Sequence, residues 1–138
     1  MTTITDIKIR RTYDVPAQRI YDAWTDPTQL RQWFTPGGTF EGDVRVGGTY
    51  QQSMPGSHCG GQSGTYLHLD PPRLIEFTWT SPNGTDGRET IVRIEILDLG
   101  TACELVLTHM RLPDDKMQGH AEGWTELGNL LAKHVGSK

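Results

Sequence analysis

The sequence predicts an α+β domain: a curved, antiparallel seven-stranded sheet wrapped around one long C-terminal helix, with two short helices between strands 1 and 2. Three observations predict it. Residues 113–138 carry apolar side chains at helical spacing, and residues 37–110 fall into short strand-like runs broken by Gly, Pro and Asn. A chain of 138 residues is one domain, residues 1–138, with room for a real core. The sheet needs a cover on one face, and the C-terminal helix is the only predicted element long enough to supply it.

In chain order, Ile7, Ile9, Arg11 and Tyr13 alternate with Lys8, Arg10 and Thr12, the period of a half-buried first strand. Arg11 thus shares the apolar side, where it either faces a cavity or reaches out to solvent or a carboxylate. Pro16 stops the strand and fits the first turn of a short helix that carries Ile20, Ala23 and Trp24 inward. Asp26 then suits an N-cap, Pro27 the first helical position and Gln29 the far end of a capping box, which puts Leu30, Trp33 and Phe34 on one face. Six strands follow near 39–44, 48–55, 61–69, 73–80, 88–97 and 102–110, and their short connections favour a meander of hairpins. Thr90, Val92, Ile94 and Ile96 form one inward row; Cys103, Leu105, Leu107 and His109 form another. The run IEFTW is mixed, and burial preference puts Phe77 and Trp79 inside with Glu76 on the wet face.

The last segment reads as one helix over Pro113–Lys138. Met117, Ala121, Trp124, Gly128, Leu131 and Val135 make its apolar stripe, with His120, Leu127 and Leu130 alongside. Asp114 or Asp115 can accept from the first free N–H groups, Lys133 and His134 suit the carbonyl end, and Gly136 suits a left-handed closing position. Gly119, Gly123 and Gly128 each cost roughly 1 kcal/mol against alanine, so packing rather than propensity has to hold the helix.

Composition narrows the function classes. A net charge of -4 with no basic run argues against nucleic-acid binding. The N-terminal MTTITDIKIRR lacks an apolar signal core and no stretch approaches the roughly 18 apolar residues of a membrane span, so a cytoplasmic location is expected. Cys59 and Cys103 are then expected as free thiols. His58 and Cys59 beside Gly60 and Gly61 suggest a metal or thiol site, but adjacent strand residues point oppositely and no paired-ligand spacing supports them. No metal and no cofactor are expected. Without a nucleophile motif or a phosphate loop, a covalent or nucleotide-dependent enzyme is disfavoured.

RRTYDVPAQRIYDAWTDPTQLRQWF, DVRVGG, GTYLHLDPPRLIEFTW and HAEGWTEL, taken together and in this order, resemble the SRPBCC (START-like, helix-grip) superfamily, and within it the group named for the C-terminal domain of the activator of Hsp90 ATPase. The resemblance covers nearly the whole chain. It implies the helix-grip fold and often a cavity between sheet and long helix, in a superfamily of lipid binders, polyketide cyclases, hydrolases and co-chaperone domains. Fold alone does not choose among these. His120 matches the histidine of the family's His-x-x-Gly-Trp position.

His120 is the candidate catalytic residue, able to bind a polar group or relay a proton; the competing reading is a core histidine bonded to a strand. The preferred function is a small-molecule binder whose pocket is walled by Trp33, Phe34, Trp79 and Trp124, with His109 or His120 as polar anchor. The alternative is a cyclase, dehydratase or hydrolase with His120 as acid or base and Arg11 or Glu76 polarising the substrate. A chaperone partner ranks last, since it rests on the family name and these residues lack the separate N-terminal domain of the eukaryotic activator. The expected partner is therefore an apolar or amphipathic small molecule, with a homodimer left open.

Overall fold

The computed structural model describes residues 6–54 and 61–137. The elements run β1 (Ile7–Tyr13), α1 (Ala17–Thr25), α2 (Pro27–Trp33), β2 (Thr39–Gly42), β3 (Thr49–Ser53), β4 (Gln62–Asp70), β5 (Leu74–Trp79), β6 (Thr90–Asp98), β7 (Cys103–Met110), a 3-10 turn (Asp114–Lys116) and α3 (Met117–Val135). The strands form one antiparallel seven-stranded sheet in the order β1-β7-β6-β5-β4-β3-β2. Strands β2 to β7 are the expected meander. The first strand closes the far edge beside the last, because α1 and α2 carry the chain across the concave face before β2 begins.

Each inward row matches its period. Thr90, Val92, Ile94 and Ile96 are buried, as are Cys103, Leu105, Leu107 and His109. The run GTYLHLD does not alternate cleanly because the β4–β5 register shifts between Tyr66 and His68. That bulge keeps Tyr66 opposite Phe77 and sends His68 opposite Glu76, while Leu69 returns inward opposite Ile75. Gly64 is required on β4, since a Cβ there would lie 1.9 Å from the Thr78 carbonyl oxygen.

The helix ends differ in how they are closed. Asp26 accepts from Thr28 N at 3.0 Å with Pro27 following, as expected, but Gln29 donates to the Asp26 carboxylate at 3.3 Å instead of reaching the cap N–H. That N–H is already bonded to the Asp22 carbonyl of α1. Pro16 occupies the cap position of α1, one residue before the helix proper. Neither Asp114 nor Asp115 caps α3. The 3-10 turn leads straight into the helix, and its own carbonyl, that of Asp114, takes the Met117 N–H. At the other end Gly136 is left-handed at φ 76°, and Ser137 N donates to Ala132 O at 2.9 Å.

Helix α3 buries Trp124, Leu131 and Ala132. It is tied to the edge strand by the Tyr13 hydroxyl on the Gly128 carbonyl at 3.3 Å, and to the short helices by His134 Nε2 on Gln29 at 3.0 Å. Its main anchor is aromatic. Trp124 packs 5.1 Å from Trp79, 6.1 Å from Phe34 and 6.4 Å from Trp24, and Trp24 meets Trp33 edge-on at 4.9 Å. Such pairs add about 0.5–1.5 kcal/mol each beyond the area they bury. Trp124→Ala should therefore cost about 3–5 kcal/mol, a large share of a marginal domain's stability. Urea denaturation checks this, and an unchanged midpoint would mean that α3 does not depend on its indole.

Candidate functional site

The tryptophan cluster fills the middle of the concave face, so the open space lies to either side of it. At the end of the sheet where β5 and β7 finish, a cleft of ≈ 490 Å³ lies between the β5–β6 loop and the first half of α3. Trp79 and Trp124 form its floor, Asn83 and Gly84 one wall, and Lys116, Gly119, His120 and Gly123 the other.

The loop wall is braced from within. Ser81 Oγ accepts from Gly84 N at 2.7 Å, and Thr85 Oγ1 accepts from Ser81 N at 3.0 Å. Both residues are buried, so SPNGT is a built turn and not a slack connection. Lys116 Nζ stands 3.8 Å from Asp86 Oδ1, bridging the loop to the start of α3; an exposed pair of that length orients more than it stabilises. On the helix wall, a Cβ at Gly119 or Gly123 would meet nothing within 4 Å. Both glycines keep space open where any side chain would narrow the cleft.

His120 is half-buried on that wall. Its Nδ1 is 2.9 Å from the Lys116 carbonyl, which can only accept, so Nδ1 carries the proton and Nε2 is a lone-pair acceptor. Among the described residues Nε2 has no partner. Burial lowers the His120 pKa, against the opposing pull of the Lys116 carbonyl, which keeps the ring neutral near pH 7.

His109 sits beneath, fully buried, with the His120 ring edge-on at 5.2 Å. The Trp124 indole N–H donates to His109 Nδ1 at 3.0 Å. Nε2 must then hold the proton, which it gives to Thr90 Oγ1 at 2.7 Å, and that hydroxyl donates to the Trp79 carbonyl at 2.5 Å. Both ring nitrogens are used by the protein. Burial and then the neighbouring His120 pull the His109 pKa down to about 3.

The other sequence candidates lie elsewhere. Trp33 is buried against Trp24, its N–H on the Ala23 carbonyl at 2.9 Å, and lines no part of the cleft. Phe34 is buried in the aromatic cluster and borders only a small internal void. Glu76 points to the outer face as expected, yet it is covered there, 2.6 Å from Arg93 Nε and 3.5 Å from His68 Nε2. An arginine laid over a carboxylate shields it even on a solvated face. Arg11 faces a different cavity, beside α3 and β1. The structure thus brings together Trp79, His120 and Trp124, with His109 behind them. The sequence marks Gly119 and Gly123 only as a cost to the helix and does not mark the Ser81–Thr85 brace; the polar caps at both ends of SPNGT are the signal for the brace. Cys103 is buried and free, while His58 and Cys59 lie outside the described residues. Among the described residues no group of His, Cys, Asp and Glu could hold a metal ion, and no helix is long and apolar enough to cross a membrane.

A family model described as activator of Hsp90 ATPase homolog 1-like protein matches residues 14–136. The chain belongs to this family. The fold is shared with the crystal structure of CalU16 from Micromonospora echinospora, at 26% identity and TM-score 0.78, over 94% of this chain and 75% of that one. It is shared also with PFC0360w, an HSP90 activator from Plasmodium falciparum, at 22% identity and TM-score 0.84, over 97% of this chain and 98% of that one. CV1439 from Chromobacterium violaceum matches at 25% identity and TM-score 0.80, over 95% and 96% of the two chains. No curated protein matches by sequence.

The buried histidine makes a pH prediction. A His109 pKa depressed from 6.5 to about 3 means that the unfolded chain binds the extra proton first on acidification. Its stabilising contribution is full above the unfolded value and is lost as pH falls toward the folded one, by up to about 1.4 kcal/mol per pH unit. His120 and His134, also lowered, act in the same direction. Urea denaturation between about pH 7 and pH 4 should show this slope, and His109→Gln should flatten it. A native protein equally stable across that window would contradict a neutral buried His109.

Proposed function

We propose that the protein binds an apolar or amphipathic small molecule in the cleft between the β5–β6 loop and α3. The observation that carries this reading is the pairing of an aromatic floor, Trp79 and Trp124, with one accessible imidazole acceptor, His120 Nε2. A cleft of ≈ 490 Å³ is within the range of small-molecule sites, and a mostly apolar lining with few polar groups is their usual chemistry. The neutral His120 suits a ligand that offers an O–H or N–H donor.

Binding is favoured over catalysis by where the polar groups stand. The partners the sequence offered for an acid–base mechanism do not stand beside His120: Arg11 lines the other cavity and Glu76 is on the outer face, while of the charged residues that do line the cleft Asp115 is exposed and Lys116 is paired with Asp86. His109 has both nitrogens engaged and the lowered pKa of a buried neutral ring, so it supports Trp124 and does not act on a ligand.

A neutral apolar fluorophore such as N-phenylnaphthylamine should bind with micromolar affinity, about -8 kcal/mol. Gly123→Phe fills the cleft from the helix wall without touching the core, and should weaken the probe by more than about tenfold while leaving thermal stability equal or higher. His120→Asn should change the affinity only modestly, because the aromatic floor supplies most of it. Undiminished probe binding in Gly123→Phe would place the ligand elsewhere and overturn the reading.

A further inference from the structure

On the other side of Trp124 from the cleft lies a second and more enclosed cavity, ≈ 130 Å³, between β1, β7 and α3. Its depth is hydrocarbon and aromatic: Ile9, Trp24, Leu105, Leu107, Trp124 and Leu131. The polar side chains of the lining are Arg10, Arg11 and Thr125 along the edge strand and the helix, and buried Tyr13, whose hydroxyl is spent on the Gly128 carbonyl. A hydrocarbon chamber with a basic rim is a different kind of site from the histidine cleft.

Arg11 is the informative residue. It stands on the inward row of β1, where every neighbour in the row is apolar or aromatic. One of its Nη1 protons goes to Asn129 Oδ1, and its guanidinium carbon lies 5.4 Å from the centre of the Tyr13 ring. A Cβ at Gly128 would sit 3.6 Å from Nη1, an ordinary contact distance, so the head group lies directly over this part of the helix. Arg10, next to it, is matched by Glu104 at 3.3 Å. Among the described residues no carboxylate lies within ion-pair distance of Arg11. The side chain is therefore held in place by neutral groups, with most of its five donors unspent and its charge uncompensated beside an apolar chamber.

We propose that this cavity is a binding site for a small monocarboxylic acid whose hydrocarbon body is a single ring or a short branched chain. The body occupies the chamber and the carboxylate takes the fork of Arg11. The volume fits, because an apolar cavity of roughly 150 Å³ accepts benzene. The charge fits, because a planar guanidinium meets a carboxylate through two parallel hydrogen bonds. This site is separate from the cleft proposed above and does not depend on it; the two share Trp124 and Leu127 as a partition.

Isothermal titration calorimetry of the native chain with benzoate, and with benzyl alcohol as its neutral counterpart, tests the site directly. Benzoate should bind at least about tenfold more tightly than the alcohol. Arg11→Gln should erase that difference, and Arg11→Lys, which keeps the charge without the fork, should retain only part of it. Gly123→Phe, which blocks the cleft alone, should leave benzoate binding intact, so failure of one site is distinguishable from failure of the other. Backbone amide shifts on adding benzoate should concentrate at Leu105, Leu107 and Gly128. Equal affinity for acid and alcohol, unchanged benzoate binding in Arg11→Gln, or shifts at Asn83, Gly84 and Gly119 in their place would each overturn the proposal.

Discussion

The indole of Trp124 sets where α3 lies on the sheet. Its ring meets Trp24 and Phe34 from the short-helix layer and Trp79 from the sheet, and its N–H is bound by His109 of β7. A hydrogen bond between two buried side chains is worth about 1 kcal/mol net, but leaving either group unpaired costs about 1–3 kcal/mol, so the bond restricts how the helix can dock. The restriction passes onward through Thr90 to the Trp79 carbonyl, linking β7, β6 and β5 to the same helix turn. Histidine is suited to this position because it can accept on one nitrogen and donate on the other, provided that it stays neutral.

That anchor also divides the interior. With the aromatic cluster in the centre, the space between sheet and helix is split into an open cleft at one end and a more enclosed chamber along the edge. The two have different polar groups, an imidazole acceptor in one and a guanidinium donor in the other. Relatives with the same backbone can differ in how this centre is filled, and for this reason structural likeness to CalU16 or to an HSP90 activator describes the fold and leaves the ligand to the side chains.

The fold was legible because its signals are periodic. The strand rows ending in His109 and Ile96, the Asp26-Pro27 start and the Gly136 stop each depend on local spacing, which a sequence displays directly. The β4 bulge was hidden, since one extra residue shifts the inward row without changing composition. The site was only half legible. Trp79, His120 and Trp124 could be placed from their rows, but Trp33 and Phe34 looked equivalent to them and went to the core. Which of several inward aromatics borders a cavity depends on packing between elements distant in sequence, and no periodicity reports that. Likewise the glycines of α3 read as a cost to be offset by packing; Gly119 and Gly123 instead border open space.

The most direct measurement of the central claim, that the cleft between the β5–β6 loop and α3 is occupied by a small molecule, is native mass spectrometry of the protein as purified, set beside the Gly123→Phe variant. The expected result is a population carrying the added mass of an apolar compound, released on denaturation and depleted in the variant. The bare polypeptide mass in both proteins, or an adduct equally abundant in both, would contradict it.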